Sequence, residues 1–281
     1  MAARMVIGPL LAAALALAPG PACAHEDAAP GAASAPARLH LEHDGDRLLA
    51  WVDNLLAGPI EVLLRAAPGA APATRPPLPA RATVPARGRS LVAYVDAGGA
   101  GVDALRLDVV PGPPNARPRD VEYGYPLDTR DLRLTQGWGG AFSHDDIGNR
   151  HAIDLAAPTG TPVLAARDGV VMQVEAGFAA SGPDRGRDGG RANLVRILHD
   201  DGTMALYAHL QAGALVRPGQ RVRRGERIGL SGNTGFSVAP HLHFVVQANR
   251  GMRLESIPFR MFGPGGILRF AGAGAGAAPA L

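Results

Sequence analysis

The segment Pro240-His241-Leu242-His243-Phe244 places two histidines two residues apart within an apolar run. In a β-strand, side chains at i and i+2 leave the same face, so both imidazoles point into one site. One imidazole suits a metal ion and the other a proton, the two parts that metal-assisted hydrolysis requires. Further groups of suitable chemistry lie upstream. Asp154 sits in Ala152-Ile153-Asp154-Leu155-Ala156, just before Pro158-Thr159-Gly160-Thr161-Pro162-Val163. His209 closes Tyr207-Ala208-His209-Leu210, and Ser231-Gly232-Asn233-Thr234-Gly235 precedes the histidine pair.

The elements that must position these groups read as strands. Hydrophobic residues make up 47% of the 281, enough for a core, while 37 glycines and 25 prolines favour short strands and turns over long helices. No segment keeps a helical period. From Val121 to Phe270, strands are expected at Val163 to Val174, broken around Arg167-Asp168-Gly169, and at His241 to Ala248. Leu194 to His199 and Thr203 to Leu210 flank a turn at Asp200-Asp201-Gly202. Gly177 to Arg191, crowded with Gly, Asp and Arg, reads as a mobile loop.

Upstream, residues 38–111 hold short alternating stretches beginning at Arg38, Leu48, Ile60, Leu91 and Leu105, separated by turn formers such as Asp44-Gly45 and Gly98-Gly99. They predict a small antiparallel β-sandwich. It gathers no convergent chemistry and reads as a spacer or as a docking module for an envelope protein. His40 and His43 there read as solvated, as does His199 at the end of its strand. Residues 112–120 are a stiff Pro-rich linker.

The start has the pattern of an export signal: Arg4, an apolar run from Met5 to Ala18, and an Ala22-Cys23-Ala24 cleavage site ahead of His25. Residues 1–24 are therefore expected to be removed, and the protein to act in the periplasm or cell envelope. The apolar run is too short for a membrane span, and no later segment could form one. Cleavage would take away Cys23, the single cysteine, leaving no disulfide. A lipidated Cys23 is the alternative, disfavoured because Gly20-Pro21-Ala22 lacks a large aliphatic residue. Residues 25–37 read as disordered and 271–281 as a flexible tail. The formal charge is +3, carried by arginine without any lysine and without a basic run, which gives no sign of nucleic-acid binding.

Taken in order, these motifs resemble the lysostaphin-type (LytM-type) zinc endopeptidases, the murein hydrolases forming metallopeptidase family twenty-three. The resemblance covers the second domain, about half the chain. It implies an all-β protein whose C-terminal β-sheet metallopeptidase domain carries a groove and a single zinc ion, and which cleaves peptide bonds of peptidoglycan. Asp154 matches the family's carboxylate ligand and His243 the ligand of its His-x-His pair. His241 and His209 match the two non-ligand catalytic histidines; which is the general base stays open. Asn193 falls where the family often places an asparagine, either lining the groove or bonding in a turn. The Ser231 to Gly235 loop would either bind substrate backbone or make a tight turn.

One position departs from the family. Its first zinc histidine usually lies four residues before the aspartate, where this chain has Arg150, a cation that cannot be a ligand. His144, in the preceding loop, is the favoured replacement. His151 is the alternative, but at three residues from Asp154 it has the wrong strand parity unless a bulge intervenes. A non-catalytic relative that binds and activates a cell-wall amidase is the rival reading; retention of Asp154, His209, His241 and His243 argues against it. The hairpin from Val216 to Gly229 is also similar to biotinyl and lipoyl carrier domains, which need a lysine that this chain lacks.

Overall fold

The structure, a computed structural model, describes residues 34–96, 101–263 and 265–270. The expected leader, residues 25–33, the Gly98-Gly99 turn and the tail from 271 lie outside these residues.

The first seven strands are β1 (Ala37–Asp44), β2 (Arg47–Asn54), β3 (Ile60–Ala66), β4 (Thr74–Arg75), β5 (Ala80–Val84), β6 (Arg89–Asp96) and β7 (Leu105–Pro111). They form a four-stranded sheet, β1-β2-β6-β4, and a three-stranded one, β5-β3-β7. Alternation directs Leu48, Ala50 and Val52 of β2 and Ile60, Val62 and Leu64 of β3 into one buried cluster between the sheets. His40 is not simply solvated: its ring lies 3.2 Å from Asp53 and 3.4 Å from Glu42, because β1 and β2 pair Arg38 with Asp53 and bring these acids alongside.

The second half is built on an eight-stranded sheet. Its strands are β8 (Leu134–Gln136), β9 (Ile153–Ala156), β10 (Gly169–Glu175), β11 (Leu194–Leu198), β12 (Met204–Ala208), β13 (Arg221–Val222), β14 (His241–Asn249) and β15 (Leu254–Ser256). The order is β13-β10-β11-β12-β14-β9-β8, with β15 beside β14. One face packs Val171, Val195, Ile197, Tyr207, Leu242 and Phe244 into the larger core. Burial of each such side chain contributes roughly 1.5–3 kcal/mol. The Tyr207 hydroxyl accepts a 2.8 Å hydrogen bond from the Ala166 amide, so its polar end is satisfied.

The turn expected at Asp200-Asp201-Gly202 joins β11 to β12. Asp201 accepts from the Thr203 amide and hydroxyl, and Gly202 adopts φ 82°, a conformation suited to glycine. A Cβ at Gly202 would lie 2.9 Å from Ala116 Cα, so the linker crosses directly over this turn. His199, read from sequence as solvated, is 3% exposed: its ring stands edge-on to Tyr123 at 5.7 Å, and its Nδ1 donates to the Asp168 carbonyl at 2.7 Å. The Gly177–Arg191 stretch is more ordered than a plain loop. It holds a short strand, Ser181–Gly182, and one helical turn, Arg185–Asp188, capped by Asp184 accepting from the Gly186 and Arg187 amides.

The opposite sheet face is shared. Met172 and Met204 belong to the core of the first half, and the Ala57 amide donates to the Met172 carbonyl. Glu61, 1% exposed, pairs with Arg81 and accepts from the Met252 amide at 2.7 Å. Positions 204, 206 and 208 of β12 have the same parity, so the sandwich lies on the face that carries Ala208.

Candidate active site

Registers across the large sheet line up one row of side chains on this face. Glu175 pairs with Leu194, Leu194 with Ala208, Ala208 with His243, His243 with Asp154, and Asp154 with Gln136. The row explains why residues 89 positions apart meet: the His243 Nδ1 to Asp154 Oδ1 distance is 2.9 Å. Leu242 and Phe244 anchor β14 from the other side, so His243 has no freedom to turn inward.

His144 reaches the same carboxylate from the loop between β8 and β9. The loop is fixed by Asp146, whose side chain accepts from the Gly148 and Asn149 amides, and by the His144 amide donating to Gly140. Its Nδ1 donates to the Gly137 carbonyl at 2.8 Å, since a carbonyl can only accept. Nε2, 3.2 Å from Asp154 Oδ1, donates to that oxygen when the ring is protonated and presents its lone pair when the ring is neutral. One donor atom from each of His144, Asp154 and His243 lies within 4.8 Å of the others, and all three residues are buried. Two nitrogens and one carboxylate oxygen suit zinc.

His151 is elsewhere. Its amide and Nδ1 engage Ser256, and its ring stands edge-on to Trp138 at 5.2 Å. The structure thus brings His144, and not His151, to Asp154. Arg150 is exposed.

His241 and His209 stand beside this cluster, with ring centroids 4.5 Å apart. His241 Nδ1 donates to the Ala239 carbonyl at 2.8 Å, and its Nε2 lies 3.7 Å from Asp154 Oδ1. His209 Nδ1 donates to the Thr234 carbonyl at 2.7 Å. Its backbone has φ 63°, uncommon for a residue with a Cβ, where the chain leaves β12. Both rings therefore carry an unprotonated Nε2 when neutral.

Electrostatics follow from burial and sharing of one carboxylate. Burial disfavours charge on Asp154, but hydrogen bonds from His144 and His243 outweigh it and hold its pKa well below the ordinary range. Burial likewise opposes a proton on His144, yet Asp154 more than compensates and raises its pKa. For His243 burial wins and the pKa falls. His209 is pushed down to about 3 by burial and by the neighbouring His241 and His243, so its imidazole is neutral.

Residues not anticipated from sequence complete the site. Gln136 Nε2 donates to Asp154 Oδ2 at 3.1 Å and to Ser143 Oγ at 2.7 Å, and its Oε1 accepts from the Phe142 amide. Phe142 stacks on Phe236 at 4.9 Å, and Arg185 pairs with Asp145 and Asp146. These contacts tie the His144 loop to the segments that precede β11 and β14. Asn193 is buried and bonds Phe178 and Leu210, a scaffolding role and not a groove-lining one. Ser231 bonds Pro158 and Thr161, and Thr234 bonds Leu210 and Asn193, so this loop is a braced turn.

Residues 148–254 match the model of Peptidase family M23. Over 97 residues the chain is 44% identical to the DD-carboxypeptidase/endopeptidase Mpg of Neisseria meningitidis, covering 34% of this chain and 20% of that protein. Over 123 residues it is 37% identical to the peptidoglycan DD-endopeptidase ShyA of Vibrio cholerae, covering 43% of this chain and 26% of that protein. The chain thus spans about a fifth to a quarter of the length of these relatives. Among solved structures it is similar to the catalytic domain of the antimicrobial peptidase lysostaphin from Staphylococcus simulans. The identity there is 32% with a TM-score of 0.33, covering 42% of this chain and 81% of that one.

Proposed function

We propose, from the match of residues 148–254 to the model of Peptidase family M23, that the protein is an exported, zinc-dependent endopeptidase that hydrolyses peptide bonds of peptidoglycan. The observation carrying this reading is the His144, Asp154 and His243 cluster with its flanking pair, His209 and His241. In this reading His144 Nε2, one Asp154 oxygen and His243 Nδ1 hold the metal. A zinc ion bound there supplies Lewis acidity and acidifies a water toward a pKa of about 7.

The chain's own residues do the rest. The carbonyls of Gly137, Ala239 and Thr234 fix the tautomers of His144, His241 and His209, so each presents a lone pair without reorganisation. His241 or His209 takes a proton from water at Nε2 and passes it to the leaving amine, so that water adds across the peptide C–N bond. A histidine that starts neutral with Nδ1 committed to a carbonyl offers an acceptor at Nε2. It becomes a donor to the developing oxyanion only after taking that proton. Both histidines are therefore competent as the base.

The leader pattern at residues 1–24 and the peptidoglycan-directed names of the relatives support an extracytoplasmic site of action. Among the described residues no helix is long and apolar enough to cross a membrane. The amidase-activator alternative is less favoured, because such a protein has no need of five converging acid–base and ligand side chains. Incubation of the protein with purified peptidoglycan, with and without chelator, followed by mass analysis of the products, tests the reading. New peptide termini that appear only without chelator are expected. A zinc-loaded protein that releases none would overturn it.

A further inference from the structure

Two residues along β11 from Leu194, and so one row below the row of Asp154 and His243 on the same face, stands Arg196. It is 8% exposed. Its Nη1 donates to Gln247 Oε1 at 2.7 Å and its Nε to Gln173 Oε1 at 3.4 Å. Gln247 is held in turn by the Gly148 carbonyl, and Gln173 by Glu175 Oε1. Glu175 spends its other oxygen on Ser34. Among the described residues no carboxylate comes within ion-pairing distance of the guanidinium, and Nη2 has no partner.

This arrangement is unusual for a scaffold. An unpaired buried cation is unfavourable, and a neutral side chain of similar volume would pack without that penalty. Burial alone, with no acidic neighbour to oppose it, pushes the Arg196 pKa down to about 10. Two glutamine oxygens orient the fork, and among the described residues no carboxylate compensates its charge. Such a fork suits a planar anion with two oxygens.

Resting on the endopeptidase reading, we propose that Arg196 is a specificity-determining residue that binds a free carboxylate of the peptide substrate beside the scissile bond. Arg196 pairs with Leu206 and Leu206 with Val245, so the arginine lies two strands over and one row down from His243. Strand spacing and rise put their Cα atoms about 12 Å apart. That span equals about three to four residues of extended peptide laid across this face of the sheet.

The test takes the shortest peptide the protein cleaves and replaces each of its carboxylates in turn by a carboxamide. For one position the wild-type kcat/KM should fall by about tenfold or more. Arg196→Gln should lose that same factor on the acid peptide and leave the amide peptide unchanged, and Arg196→Lys should fall between. Equal cleavage of every acid–amide pair by the wild-type protein overturns the proposal, with or without a folded variant. So does an equal loss on both peptides in Arg196→Gln. If no peptide is cut, the endopeptidase reading fails separately. Calorimetric titration of the zinc-loaded wild-type protein with acid and amide peptides then decides the inference: about tenfold tighter binding of the acid peptide supports it, and equal affinity overturns it.

Discussion

Gln136 donates to the Asp154 oxygen that faces away from the histidines, while the other oxygen meets His144, His241 and His243. The same amide group holds Ser143, next to His144, so one side chain orients two members of the cluster at once. Replacing Gln136 by Ala should therefore weaken zinc binding by about 10- to 100-fold. Competition with a chromophoric chelator measures this, and unchanged affinity would assign Gln136 to packing alone.

His144 and His151 separate cleanly by substitution. His144→Ala should leave the purified protein with little zinc and without hydrolytic activity. His151→Ala should retain both and lose only the Ser256 and Trp138 contacts, a stability change on the order of 1 kcal/mol. Metal analysis beside thermal unfolding reads the two effects independently; the reverse pattern would move the ligand to His151.

His241→Ala should keep its zinc, because His241 is not one of the three clustered donors. Turnover should drop by about 10²- to 10⁴-fold, the usual weight of a general acid–base group. Normal digestion of muropeptides by this variant would sink the assignment.

Burial pushes His199 down to about 4 from an ordinary value of 6.5. Between these values the unfolded chain binds a proton that the folded chain refuses, so stability falls as the pH drops from 6.5 to 4 and His199 adds no further slope below that. The contribution is on the order of 3 kcal/mol. Urea unfolding at pH 7 and pH 4.5, with chelator throughout, should show a smaller acid loss in His199→Gln than in the wild-type protein. Identical losses would mean that His199 opens to solvent before unfolding.

The parts of the site carried by strand parity were legible in the chain. His241 and His243 share a face because they are two apart, and the hairpin around Asp200-Asp201-Gly202 follows from turn chemistry. Asp154 and His243 meet through a register set by cores on both strands, which no local pattern states. His199 was misread because the groups packed against its ring, Tyr123 and the Asp168 carbonyl, are distant in sequence. Gln136 gave no signal, because parity puts it on the face of buried Leu134, and only the register shift opposite Asp154 and Leu155 brings it to the carboxylate. Arg196 was passed over because an isolated arginine in an apolar strand says nothing about its neighbours until Gln173 and Gln247 are placed.

Met172 and Met204 lie in the sandwich core while their strands carry the site. Excising the second half at the Pro-rich linker would therefore strip a cover from the sheet and leave a greasy shelf of methionine and leucine next to the His144, Asp154 and His243 cluster. Such a fragment should be sticky in solution, and its catalysis, if assayed alone, would be read through aggregation. Trimmed or transplanted versions of this protein are better built by keeping both halves and redesigning loops, or by repainting that shelf with polar residues first.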